Sequence, residues 1–152
     1  MEARLLQREL MELTARVLEE GVLDKQFLEI QTLRDEDNPN FPAEVVALFF
    51  EDAQKLINEL TKALQQGQNY VDFGKIGADA HQLKGSSASV GAKRITDLCI
   101  AFRGFCDQLN VEGCCGCLQQ LHYEFSLTKN KLESIFKLEK QILAGGGMLP
   151  GM

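Results

Sequence analysis

Apolar residues recur at intervals of three and four along almost the whole chain, and no stretch shows the strict alternation of a half-buried strand. That spacing confines the chain to packed helices, because each apolar stripe must be buried against another. Leu6, Leu10, Leu13 and Val17 form the first stripe, which Gly21 breaks. Leu23, Phe27 and Ile30 begin a second, shorter one, continued by Leu33 or by the stem of Arg34. The run from Asp35 to Pro42 (DEDNPNFP) is a connector, since its turn formers and two prolines cannot extend a helix.

Beyond Pro42 the stripes lengthen. Val45, Phe49, Ala53, Leu56, Leu60 and Leu64 make one that ends near Gly67, and Ile76, Ala80, Leu83, Ser87 and Val90 set the core face of the next, which Gly91 ends. Ile95, Leu98, Phe102, Phe105 and Leu109 follow. Gly113 and Gly116 read as a turn region, and Leu118, Leu121, Phe125, Thr128, Leu132, Ile135 and Ile142 as a final long helix. The expected fold is all-α: one domain over 1–152, with an antiparallel up-down-up-down four-helix bundle at about 42–143. Two additional, shorter N-terminal helices within about 1–35 should cap one end or flank of it. The glycine-rich end, 144–152, is expected to be a flexible tail.

A net charge of −6 over 152 residues argues against nucleic acid as a partner, which would call for a concentrated basic face. No apolar run approaches the roughly 20 residues of a membrane span, so no membrane is expected either. The five cysteines (Cys99, Cys106, Cys114, Cys115 and Cys117) are odd in number and follow a charged start, which points to a reducing compartment. The last three, with His122 nearby, crowd one short segment rather than pairing across two elements as zinc ligands do. They are read as small buried hydrophobes, and no metal site is expected.

The informative face surrounds His81. It lies one residue beyond the core stripe of its helix, about 100° further round, at the edge of the packed face or outside it. Its neighbours at three, four and seven residues are Gly74, Gly77, Ala78, Lys84, Gly85 and Ala88. Each mid-helix glycine costs roughly 0.5–1 kcal/mol relative to alanine. Small residues can serve close helix packing, but packing over this face would bury His81 and Lys84 with no acid on the same face to pair the lysine. The alternative is an exposed face on which a large group can reach the imidazole. Histidine is a nucleophile in its unprotonated form and changes charge between pH 5 and 8, so its reaction should weaken as the pH falls. Lys84 can steady an anion one turn away, Gly85 leaves room for an incoming group, and Arg103 on the next helix can supply a second cation if the helix register allows.

The stretch from His81 to Gly91, HQLKGSSASVG, closely resembles the phosphorylation motif of plant histidine-containing phosphotransfer (HPt) proteins. The segments DKQFLEIQTLRDEDNPNF, EVVALFFEDA and IFKLEKQI resemble that family too, so the likeness covers roughly Leu18 to Gly147. The resemblance implies a phosphorelay shuttle of cytokinin-type signalling, at work in cytoplasm and nucleus. His81 would take a phosphoryl group from the receiver aspartate of a hybrid histidine kinase and pass it to the receiver aspartate of a response regulator. Lys84 and Gly85 match the supporting pair of the motif. The Mg²⁺ would belong to the partner receiver domain, with no cofactor in this chain and no autonomous kinase activity. No glycine-rich phosphate loop accompanies the motif. Docking would use Ala78, Gln82 and Ala88 around the histidine, with Leu28 either joining them or packing on the main bundle, and with the chain acting as a monomer. The competing function is a helical adaptor that binds receiver domains without carrying phosphate.

Overall fold

The computed structural model describes residues 2–149 and Met152. Six α-helices and one short 3-10 turn account for the ordered elements, and the described residues contain no strand. They are α1 (Glu2–Glu19), α2 (Lys25–Gln31), α3 (Phe41–Leu64), α4 (Phe73–Val90), α5 (Lys93–Asp107) and α6 (Val111–Ala144). Helix α3 packs on α4, α4 on α5 and α5 on α6, and α6 returns against α3, which closes the four-helix ring.

Polar side chains cap the starts of α2, α4 and α6. Asp24 accepts from the Gln26 backbone N–H, Asp72 from that of Lys75 and Asn110 from that of Gly113. Pro42 opens α3, where a missing N–H costs nothing. Gly91 ends α4 in the left-handed region, at φ 80°. A Cβ there would stand 2.6 Å from the Phe27 backbone nitrogen, while the Gly91 carbonyl accepts from the Asp24 N–H at 2.9 Å. This glycine therefore lets α2 seat directly on the end of α4.

Two apolar clusters share the molecule. The first fills the bundle with Phe49, Ile57, Leu60, Ile76, Leu83, Ile95, Phe102 and Leu121 among others. The second joins α1 (Leu10, Val17) and α2 (Phe27) to the far half of α6 (Leu132, Ile135, Ile142). Helix α6, 34 residues and about 50 Å long, runs through both.

Three expectations change, and one open alternative is decided. Helix α1 is not short: at 18 residues it equals α4 and flanks the C-terminal half of α6. Gly113 and Gly116 lie inside α6, because Asn110 caps it upstream of them and the Phe105 ring occupies the space a side chain at Gly113 would need. Arg34, not Leu33, completes the α2 stripe: Arg34 is 1% exposed and Leu33 63%. The tail folds back instead of trailing free. Gly147 N–H donates to the Ile142 carbonyl, Gln7 Nε2 to the Met148 carbonyl, and Leu149 is buried in the second cluster. The part of that expectation falling on Pro150 and Gly151 lies outside the described residues.

Candidate functional site

The site is built on the α4–α5 hairpin. Only Gly91 and Ala92 separate the two helices, so their register is fixed within a turn. Ser87 Oγ and Thr96 Oγ1 lock it at 2.8 Å, and Ser87 also donates to the Lys84 carbonyl at 3.0 Å. Counting back to His81 and forward to Arg103 gives nearly equal distances from the bend. The two side chains meet accordingly: Arg103 Nη1 stands 3.1 Å from His81 Nδ1.

His81 is exposed, and so are Ala78, Gln82, Gly85 and Ala88 around it. Lys84 is half-buried on the same side of α4, and among the described residues neither Lys84 nor Arg103 has a carboxylate within ion-pair reach. Both cations are therefore available to an arriving anion. A Cβ built on Gly77 or on Gly85 meets nothing within 4 Å. That excludes close helix packing as the reason for these glycines; they clear an open face. Gly85→Gln should accordingly be neutral or slightly stabilising in denaturation, by about 0.5–1 kcal/mol of helix propensity. If the phosphotransfer role implied by the resemblance holds, the same change should slow phosphoryl uptake roughly tenfold or more by displacing the incoming group. Gross loss of helix in circular dichroism would contradict this.

Leu28 is 37% exposed, on α2 rather than on the α4–α5 hairpin. It lines a mainly apolar groove between α1 and α2 with Leu10, Met11, Leu18 and Met148. The sequence reading missed two residues of α5. Gly104, beside Arg103, also carries no neighbour within 4 Å of a built Cβ, and Ile100, one turn before Arg103, is 55% exposed. An internal glycine next to an off-stripe arginine was the available signal.

Cys99, Cys106, Cys114 and Cys117 are buried and Cys115 is half-buried. Cys106 and Cys114 sulfurs lie 3.9 Å apart at the α5–α6 junction. Burial pushes the thiols of Cys99 and Cys114 up to about 12, which leaves both protonated and unreactive as free thiols. Among the described residues no group of three or more His, Cys, Asp or Glu is arranged to hold a metal ion. No described helix is long and apolar enough to cross a membrane. His122 is exposed, with Nε2 at 3.2 Å from Thr61 Oγ1.

The Hpt domain model matches residues 44–131. The chain is 50% identical over 146 residues to histidine-containing phosphotransfer protein 1 of Arabidopsis thaliana, covering 96% of this chain and 94% of that one. It is 39% identical to pseudo histidine-containing phosphotransfer protein 6 of the same plant, with 95% and 94% covered. A crystal structure of a histidine-containing phosphotransfer protein from Medicago truncatula superposes with a TM-score of 0.87 at 47% identity, over 94% of this chain and 96% of that one. The maize counterpart gives 0.84 at 42%, over 90% and 99%.

Proposed function

We propose, because this chain belongs to the Hpt-domain family of histidine-containing phosphotransfer proteins, that it carries a phosphoryl group on His81 between receiver domains. Proteins of this family are intermediates in two-component phosphorelays, carriers rather than classical enzymes. The observation that supports His81 as the carrier is its exposed imidazole, bonded to Arg103 on a face cleared by Gly77 and Gly85. Membership alone would not be enough, since a pseudo member is 39% identical to this chain.

In this reading the imidazole attacks the phosphorus of an aspartyl phosphate on the receiver of a hybrid histidine kinase. The aspartate leaves as a carboxylate, and the same chemistry reversed loads the receiver of a response regulator. Transfer of this kind is mostly positioning and charge neutralisation. Lys84 and Arg103 supply the cations, and Gly85 supplies the clearance. The Mg²⁺ and its acidic pocket belong to the receiver, so this chain needs no cofactor and has no kinase activity of its own. Ala78, Gln82 and Ala88 form the contact surface beside the histidine, and Leu28 extends it onto α2. The protein works as a monomer in cytoplasm and nucleus within cytokinin-type signalling, a placement that rests on its likeness to the plant relatives.

The test is incubation with a phosphorylated receiver domain. Wild type should gain acid-labile, alkali-stable label. No label would leave the adaptor that docks without carrying phosphate, and label from ATP alone would favour an autonomous enzyme.

A further inference from the structure

We infer that Arg103 is a gate on His81: its bond to Nδ1 holds the imidazole in the tautomer that cannot attack, and the nucleophile forms when an incoming phosphoryl group draws the guanidinium away. This deepens the phosphoacceptor reading and rests on it.

A guanidinium carries only donors. In the 3.1 Å contact between Arg103 Nη1 and His81 Nδ1, the ring nitrogen must therefore accept. A neutral imidazole has one N–H and one in-plane lone pair. With Nδ1 accepting, the proton sits on Nε2. The lone pair is covered by Arg103, and the other nitrogen is blocked by its own proton. Attack from Nε2 needs the proton on Nδ1, where it would point at the guanidinium, so Arg103 must leave first.

An arriving phosphoryl group provides the reason to leave. A charge-assisted N–H···O⁻ bond is roughly twice as strong as one to a neutral acceptor. Arg103 is exposed and among the described residues has no carboxylate partner to hold it back. Once it moves to the phosphoryl oxygens, water at this exposed site can carry the ring proton from Nε2 to Nδ1. The transfer then balances. The Nε2 lone pair forms an N–P bond, the O–P bond of the aspartyl phosphate breaks, and its electron pair leaves on the carboxylate. The ring keeps the Nδ1 proton, with its positive charge beside the new phosphoryl group. Arg103 is thus a positioning residue before transfer and a phosphoryl contact during it.

Two measurements on the whole protein test the gate without phosphate. The first is nitrogen-15 NMR of the His81 ring at a pH where it is neutral, in wild type and Arg103→Met. The second is acylation by diethyl pyrocarbonate, a neutral electrophile that needs a free imidazole lone pair and gains nothing from a nearby cation. Arg103→Met should raise the Nδ1–H population. It should also speed acylation of His81 roughly threefold to tenfold, the factor an ordinary hydrogen bond withholds. Acylation of His122 should not change and serves as the internal reference. An unchanged tautomer ratio or an unchanged His81 rate would overturn the gate. Should both shifts appear in a protein that takes no label from a phosphorylated receiver, the phosphorelay reading fails while Arg103 control of the ring stands.

Discussion

His81→Gln takes up no phosphoryl label from a phosphorylated receiver and unfolds within about 0.5 kcal/mol of wild type, as an exposed substitution away from the core should. Glutamine keeps a polar side chain whose carbonyl oxygen can still accept from Arg103, but its amide nitrogen has no lone pair free to attack. The fold is indifferent to this position because the neighbouring core residues, Ala80 and Leu83, are fully buried without help from it. Uptake and chemical denaturation on the same preparation therefore separate chemistry from stability. Label persisting in the variant would place the phosphoryl group elsewhere, and His122 is the one other histidine in the chain. Its position offers little support: Phe125 stands three residues on, where Lys84 stands relative to His81.

The histidine face was legible in the sequence because everything that defines it is local. Gly77, Ala78, Lys84, Gly85 and Ala88 are placed round His81 by the helical repeat alone. Arg103 was legible only as far as the bend was. A two-residue connection forces the helices to run back along each other, so residues equally far from Gly91 and Ala92 become neighbours. Glycine was the unreliable sign. Gly91 ends a helix and Gly113 sits inside one, where it makes room for the Phe105 ring of the preceding helix, a contact that no local pattern records. The tail misled for the same reason: three glycines look loose until Leu149 finds the second apolar cluster. Leu28 sat correctly off its stripe, yet the groove it lines depends on α1, whose docking along α6 joins residues more than a hundred positions apart.

Glu139→Ala should cost about 3–5 kcal/mol, the usual penalty for leaving one member of a buried ion pair without its partner. Arg34 has a side chain with no solvent exposure, and its Nη2 donates to Glu139 Oε2 at 2.9 Å. Gln31 Nε2 donates to the same oxygen at 2.9 Å. Among the described residues, Arg34 Nε and Nη1 have no hydrogen-bond partner, so Glu139 is the one acceptor there that the guanidinium finds. Removing it strands a full charge between α2 and the far half of α6. Burial pushes the Glu139 carboxyl up from its ordinary value, and the bonds from Arg34 and Gln31 only partly restore it. The native state then binds that proton more tightly than the unfolded chain does. Stability from this group is therefore fully present below the ordinary carboxylate range and declines as the pH rises through the raised native value. A double replacement, Arg34→Met with Glu139→Leu, removes both charges together and should recover most of the loss or exceed wild type. It should also abolish that decline with pH. Urea unfolding of the three proteins at several pH values checks both statements. A Glu139→Ala protein within about 1 kcal/mol of wild type would mean that Arg34 reaches water or another acceptor, and that α2, with Leu28 on its outer face, is held by Phe27 and the Gly91 junction instead.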